Sequence, residues 1–185
     1  MPLIKDGKIA KDPWIRVSAD APLPDGEALL VPYEVWKENR TALLARNSRL
    51  GVLLAANQPP QLIAEDLDRL DLVALEFPIF RDGRAYSYAR LLRERFGYEK
   101  EMRAVGNVLR DQFSFMHRCG FDAYEVRDEK QADAWSQALT EISHVYQPST
   151  DRRRPITSLR HQRPAATRGT PAAAPSEIVC SSWAY

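Results

Sequence analysis

The stretch 72–126 constrains the fold most, because apolar runs typical of buried strands alternate in it with amphipathic segments typical of helices. Leu72–Phe77 is nearly continuously apolar, as expected for a strand covered on both faces. Residues 85–96 carry apolar side chains at helical spacing, and Gly97 is suited to end that helix. A second apolar run, 102–106, follows. Short buried strands that alternate with amphipathic helices indicate a parallel sheet.

The same alternation covers most of the chain. Further strands are predicted at 28–31, 51–56 and 121–126. Further helices are predicted at 33–46, 61–70, 109–119 and 129–142. The pattern therefore predicts a single α/β domain with a mostly parallel sheet of about five strands and helices on its faces.

Two arrangements of such units remain open, a doubly wound Rossmann-like sheet and a partial barrel. A complete eight-unit barrel typically needs about 250 residues, and this chain has 185. The open sheet is therefore the favoured arrangement.

The two ends of the chain differ from this central domain. Residues 1–28 contain a hairpin signal, with Asp6 and Gly7 suited to a tight turn of positive φ, followed by irregular chain. The α/β domain is expected to span 29–149. Residues 150–185 are rich in Pro, Ala, Ser, Thr and Arg and are predicted to form a disordered tail.

Charge and hydropathy exclude several classes of function. The net charge is +1, but six arginines and only two acidic residues lie from Asp151 onwards, so the body before it has 20 basic and 23 acidic residues. Nucleic-acid binding needs a concentrated basic surface and is not expected. No apolar run approaches the about 18 residues of a membrane span. The charged start does not fit a signal peptide, so a cytoplasmic location is predicted.

Ligand-binding residues are expected at the carboxyl ends of the strands, where parallel α/β sheets bind ligands. Four segments qualify: 57–60, 77–84, 107–112 and 127–128. In the second, the helix start after Gly83 offers free N–H groups, and Arg84, Arg90 and Arg93 could add charge-assisted hydrogen bonds to a small oxyanion or phosphate. Ser87 lies in the first turn of the same helix. The alternative is that Asp82 caps the helix, Arg84 pairs with a neighbouring carboxylate, and Tyr86 packs.

The segment 107–112 supplies a second group of candidates. Asn107 could cap the following helix, and Asp111 and Gln112 lie in its first turn. Asp111 and Tyr86 are the candidates for handling a proton. The alternative is that Asp111 interacts only with the helix dipole. Cys119, at a helix end unsuited to lowering a thiol pKa, is predicted to be a buried inert thiol, and His117 a solvated surface residue.

Recognisable cofactor motifs are absent from the sequence. It contains no GxGxxG after a strand, no phosphate-binding GxxxxGK[ST] and no GxSxG. The two cysteines do not form a CxxC or zinc pattern. No metal site is predicted, and the cofactor, if one exists, is unknown.

Many spaced elements of the chain nevertheless resemble one bacterial family. They are Phe77-Pro78, Phe80, Asp82-Gly83-Arg84, Tyr86-Ser87, the run from Ala89 to Arg93, Phe96-Gly97-Tyr98, the run from Met102 to Gly106, Asp111-Gln112, the run from Arg118 to Asp122, and Tyr146-Gln147-Pro148. The family is the domain of unknown function 934, and the resemblance covers about 29–148. After Thr150 the chain departs from the short ending that is usual in the family.

The resemblance implies a role in sulfur assimilation. Members carry the label of oxidoreductases of sulfite reduction, and their genes tend to lie beside those for sulfite reductase and adenylylsulfate reductase. The first hypothesis is a non-catalytic accessory protein that binds such a partner, or a small oxyanion or nucleotide, through the Arg84 region. The alternative is a sulfite-pathway oxidoreductase with an unrecognised cofactor, in which Arg84 and Arg90 hold the anion. Whether the chain is an enzyme stays open at this point.

Overall fold

The computed structural model describes residues 1–18, 23–128 and 132–160 of the chain. Its strands are β1 (Leu3–Lys5), β2 (Lys8–Ala10), β3 (Trp14–Arg16), β4 (Ala28–Pro32), β5 (Leu50–Leu54), β6 (Leu72–Phe77), β7 (Glu101–Gly106) and β8 (Ala123–Glu125). Its α-helices are α1 (Tyr33–Leu44), α2 (Arg84–Arg90), α3 (Phe113–Arg118), α4 (Ala132–Thr140) and α5 (Ile156–Arg160). A π-helical turn, Leu91–Arg95, continues α2, and two 3-10 helices cover Pro60–Arg69 and Arg110–Gln112.

These strands form one mixed sheet in the order β2-β1-β8-β7-β6-β5-β4-β3. The six strands from β3 to β8 are parallel, and β1 pairs antiparallel with both β8 and β2. The predicted sheet of about five strands is therefore too small. The predicted hairpin is confirmed, with Asp6 and Gly7 at φ values of 51° and 73° in its turn, and it extends the sheet beyond β8.

The expected doubly wound arrangement is wrong, because the strands β3 to β8 follow one another in chain order. Every crossover then runs in the same direction, and right-handed crossovers place all helices on one face of the sheet. That face forms the main core, in which strand residues such as Val73 and Leu75 pack with Trp36 of α1 and Leu92. Among the described residues, the smaller core on the opposite face contains strand residues alone: Trp14, Leu30, Leu72, Ala74 and Val105.

Strong curvature of the sheet explains how the second face is covered without helices. Only Lys11, Asp12 and Pro13 connect β2 to β3, although these strands lie at opposite edges of the sheet. In a flat sheet the two edges would be about 34 Å apart, whereas the connection can span only about 15 Å. The sheet therefore curls until its edges approach each other, which favours the partial-barrel alternative.

The interior of the curl holds a buried ionic network that the sequence did not reveal. Arg103 of β7 has no exposed side-chain surface and donates two hydrogen bonds to Asp12, at 2.8 and 3.0 Å, and one to Glu101 at 3.0 Å. Glu125 of β8 lies 3.5 Å from Arg103 and also accepts hydrogen bonds from Arg16 of β3 at 3.0 and 3.1 Å. The network therefore joins β3 to β8 across the concave side of the sheet.

The segment after the last long helix also departs from prediction. Residues 150–160 were expected to be part of a disordered tail, but Thr150 donates a hydrogen bond to the Arg118 carbonyl at 2.8 Å and Asp151 pairs with the Arg118 side chain at 3.0 Å. Beyond them lies helix α5. These contacts hold the segment against the amino-end side of β8. The remainder of the predicted tail, 161–185, and the predicted start of the helix at Glu129 lie outside the described residues.

Candidate functional site

The carboxyl ends of β5, β6, β7 and β8 all open onto the same edge of the sheet, because these strands are parallel. The four segments predicted from the sequence, 57–60, 77–84, 107–112 and 127–128, therefore leave the sheet at this carboxyl edge. Backbone contacts join the second and third of them, since the Asn107 N–H donates to the Phe77 carbonyl at 2.7 Å. The Tyr88 hydroxyl donates a hydrogen bond to the Ala56 carbonyl at 3.3 Å. This bond connects α2 to the chain just before the first segment, 57–60.

Arg84 lies at this edge, but its charge is already matched. Its Nε and Nη2 donate to the Asp82 carboxylate at 3.0 and 2.6 Å, and its backbone N–H donates to the same carboxylate at 3.2 Å. These hydrogen bonds lower the pKa of Asp82, and the same bonds raise the pKa of Arg84. This is the geometry of the alternative in which Arg84 pairs with a neighbouring carboxylate. An anion would have to compete with Asp82 for the guanidinium.

The three candidate arginines do not converge. Arg90 pairs with Glu94 one turn further along, with Nη2 to carboxylate at 2.7 Å, on the outer surface of the helix. Ser87 is exposed beside Arg90 in a shallow surface cavity. Arg93 lies at the other end of the helix, close to the amino ends of β7 and β8. The three arginines are therefore spread along the helix, from Arg84 at the carboxyl edge to Arg93 at the amino edge, and do not surround a shared ligand.

Arg93 instead connects the segments that precede β7 and β8. It donates to the carbonyls of Gly120 at 2.9 and 3.0 Å, Tyr98 at 2.5 Å and Lys100 at 2.9 Å, and to the Asp122 carboxylate at 2.5 Å. Its side chain is 15% exposed. The planar guanidinium with its five N–H donors suits this set of acceptors. Arg93 is therefore a structural residue of the amino edge.

We expect Arg93→Ala to lower the free energy of unfolding by about 2–4 kcal/mol, because several partly buried acceptors lose their donor together. Urea denaturation followed by circular dichroism measures the change. Arg90→Ala is the matched control on the same helix and should change stability by less than about 0.5 kcal/mol, as exposed i,i+4 pairs do. Equal losses in the two variants would contradict the structural role of Arg93.

Tyr86 packs between aromatic rings at the carboxyl edge. Its ring centroid lies 5.0 Å from that of Phe77 and 4.8 Å from that of Phe115. Burial raises the pKa of Tyr86 to about 12, and the negative charge of Asp111 adds to the shift. The hydroxyl therefore stays protonated at neutral pH, where it can donate a hydrogen bond but is not a base.

The segment after β7 is built differently from its prediction. A 3-10 turn, Arg110–Gln112, precedes α3, and the turn is preceded by Leu109 without a side-chain capping bond. The predicted capping role of Asn107 is therefore wrong. Asp111 is exposed in the turn. The Gln112 Oε1 is buried and accepts no hydrogen bond from the described residues.

Three large apolar side chains at the carboxyl edge were missed by the sequence reasoning. Ile79, Phe80 and Phe115 are 58%, 54% and 55% exposed, and we call them the apolar patch. Tyr86 lies beside Phe115, since its ring contacts that of Phe115 and also that of Phe77 at the end of β6. The signal available in the sequence was the pair Ile79-Phe80 in a turn, outside any helical or strand periodicity.

Other chemistry is sparse in the part of the chain that the structure describes. A cavity of about 530 Å³ lies at the amino edge and is lined by Arg93, Tyr98, Asp122 and residues 149–152 among others. Cys119 is buried, and burial raises its thiol pKa, which fits the predicted inert thiol.

Within 1–18, 23–128 and 132–160, no three His, Cys, Asp or Glu side chains group closely enough to hold a metal ion. No helix in those ranges has the length and apolar character that crossing a membrane requires.

Comparison with known proteins gives one family. The family model described as "Bacterial protein of unknown function (DUF934)" matches residues 51–157. The match runs from β5 to α5 and so includes the 77–84 and 107–112 segments at the carboxyl edge. It also reaches past Thr150, where the sequence had suggested that the family pattern ends. A search of curated proteins finds no match.

Proposed function

Because the chain belongs to the bacterial family of unknown function DUF934, we propose that it is an accessory protein of assimilatory sulfate and sulfite reduction. The pathway comes from the resemblance described above. In this proposal the protein binds sulfite reductase or adenylylsulfate reductase and catalyses no reaction itself. The observation that carries the binding role is the apolar patch at the carboxyl edge.

The exposure of the patch supports protein binding. Phe80 and Phe115 each leave more than half of their surface in solvent, although burial of apolar area stabilises by about 25 cal/mol per Å². Exposed apolar clusters with a polar rim mark interaction sites. Aromatic side chains are also enriched at the centres of such interfaces. A partner that covers these rings would bury their apolar surface, and this burial would stabilise the complex.

The surrounding charges supply the polar rim. Arg84, whose side chain is 52% exposed, pairs with Asp82 close to Phe80 in the chain, and Arg81 is exposed next to Phe80. Charged groups at a rim chiefly affect specificity and the rate of association. Since Arg84 already has a carboxylate partner, a protein surface fits this edge better than a free anion held by Arg84.

Affinity capture from sulfate-grown cells tests this proposal. We expect the tagged protein to retain a sulfite-pathway reductase, and Phe80→Ser to reduce the captured amount at least tenfold. Leu62→Ser is the matched control, because Leu62 is 46% exposed and belongs to the 3-10 helix Pro60–Arg69 and not to the apolar patch. Circular dichroism checks that each variant is folded.

Two outcomes would contradict the docking role. One is capture in which no enzyme of sulfate or sulfite reduction appears. The other is a Phe80→Ser protein that captures as much partner as the Leu62→Ser protein.

The alternative of a sulfite-pathway oxidoreductase has one observation in its favour. Its two proton-handling candidates, Tyr86 and Asp111, follow the ends of the neighbouring strands β6 and β7, which the Asn107 N–H joins by a hydrogen bond to the Phe77 carbonyl at 2.7 Å. A flavin or other chromophore in the absorbance spectrum of the purified protein would support this alternative. The alternative also assigns Arg84 the role of holding the anion. If a deletion strain that carries the Arg84→Ala protein grows normally on sulfate, Arg84 does not have that role.

A further inference from the structure

A small cavity lies at the carboxyl ends of β7 and β8, apart from the apolar patch. Its volume is about 170 Å³. Its wall combines apolar with charged side chains: Val108, Leu109, Arg110, Val126, Arg127, Asp128 and Trp135. A cavity of roughly 150 Å³ can hold a benzene-sized molecule, so a compact ion fits this one. The position is the carboxyl edge, at which parallel sheets bind ligands.

Trp135 lines the cavity and carries a buried donor. It is 2% exposed and packs edge-on against Phe113, with ring centroids 4.7 Å apart. Its indole Nε1 is buried and finds no acceptor in the described part of the chain. A buried N–H without a partner is costly, and native structures nearly always satisfy such groups. The cavity beside this indole is the place from which an acceptor could come.

Two arginines give the cavity its charge. Arg127 is exposed at the mouth and forms no ion pair with the residues that the structure describes. Arg110 donates from Nε to the Ala134 carbonyl at 3.0 Å, and its Nη2 pairs with Glu141. Its Nη1 makes no hydrogen bond within the described ranges. Opposite these two guanidinium groups, Asp128 supplies the one carboxylate among the described residues of the wall.

We propose that this cavity binds a small oxyanion, of the sulfate, sulfite or phosphate class. Arg127 supplies the main charge, Arg110 adds its remaining donor, and the Trp135 indole N–H donates a hydrogen bond. Guanidinium groups match the planar pairs of oxygen atoms in such anions, and an indole is a donor with no competing acceptor function. The proposal is independent of docking through the apolar patch, since the two sites share no residue.

The cavity fits an oxyanion better than the Arg84 turn does. At Arg84 the carboxylate of Asp82 already accepts both a side-chain and a backbone N–H. At the cavity, Arg127 and the Trp135 indole retain their donors. A bound oxyanion would therefore form hydrogen bonds there without displacing an ion pair.

Indole N–H signals in a ¹⁵N–¹H NMR spectrum test the proposal on the full chain. Loss of one signal in Trp135→Phe assigns the Trp135 indole among those of Trp14, Trp36 and Trp183. Titration with sodium sulfate, sulfite or phosphate at constant ionic strength is expected to shift the Trp135 signal until it saturates. Sodium chloride is expected to leave it in place.

Arg127→Gln should weaken this binding at least tenfold, and Arg81→Gln, which removes an exposed arginine from a neighbouring loop, should not. If adenosine monophosphate moves the same signal at lower concentration than inorganic phosphate, the oxyanion belongs to a larger ligand. The proposal is overturned if no oxyanion shifts the Trp135 signal, or if Arg127→Gln binds as wild type does. Neither result bears on partner capture, so the two proposals fail separately.

Discussion

Arg103→Met is expected to lower the free energy of unfolding by about 3–5 kcal/mol, because removing one partner from a buried ionic network leaves the others uncompensated. Arg103 is fully buried, and Asp12, Glu101 and Glu125 all lie within 3.5 Å of its guanidinium. Methionine has a similar volume but no charge. Most of the loss therefore comes from the carboxylates, which stay on the concave face without their central cation.

Urea denaturation followed by circular dichroism measures this loss, and the chain offers a close control. Arg16 also binds Glu125, at 3.0 Å, but its side chain is 47% exposed. Arg16→Met should therefore cost no more than about 1 kcal/mol, as partly exposed ion pairs do. If Arg103→Met is as mild as Arg16→Met, the buried network does not hold the curled sheet together.

Gly106→Ala is expected to have the second large effect, a loss of about 3 kcal/mol or more. Gly106 ends β7 with a φ of 93°, a conformation that costs other residues free energy. A Cβ atom there would also lie 2.6 Å from the Phe77 carbonyl oxygen. Because that oxygen accepts the Asn107 N–H at 2.7 Å, relief of the clash would disturb the carboxyl edge itself.

Gly97→Ala separates the cost of the positive φ from the cost of the steric clash. Gly97 also has a positive φ, 64°, but an added Cβ would meet no atom within 4 Å. This variant should therefore lose only the about 1–2 kcal/mol of backbone strain. Thermal denaturation of both proteins gives the comparison. A Gly97→Ala protein as unstable as Gly106→Ala would mean that the contact with Phe77 is unimportant.

Much of the secondary structure could be predicted from local sequence. The strand Leu72–Phe77 has the predicted bounds, since a continuous apolar run flanked by turn residues has few other stable conformations. Helix boundaries were less accurate. The predicted helix at 109–119 begins with the 3-10 turn Arg110–Gln112, and the predicted helix at 85–96 includes the π-helical turn Leu91–Arg95. Whether a helical segment adopts α, 3-10 or π geometry depends on tertiary packing, and hydrophobic periodicity does not indicate it.

The candidate site was predicted in position but not in its contacts. The sequence placed Arg84, Tyr86 and Asp111 at the carboxyl ends of β6 and β7, and the structure has them there. Spacing could not decide between an anion site at Arg84 and the alternative that the structure shows, in which Arg84 pairs with the neighbouring carboxylate of Asp82. It also could not show that Arg93 would bind groups at the amino edge. Sequence neighbours determine which face of a helix a side chain occupies, whereas distant residues such as Gly120 and Asp122 determine what it binds.

The sequence by itself determined the alternation of strands and helices, the N-terminal hairpin and the family of the chain. The tertiary structure alone decided that the sheet curls, that its concave side buries Arg103 with three carboxylates, and that Trp135 meets Arg127 at a cavity. The physical reason is that hydrophobic periodicity indicates which face of a strand or helix is buried, but not which distant residues that face contacts. Ion pairs between β3 and β8, or between Asp12 and Arg103, join residues about 90 or more positions apart, and no local pattern encodes such contacts.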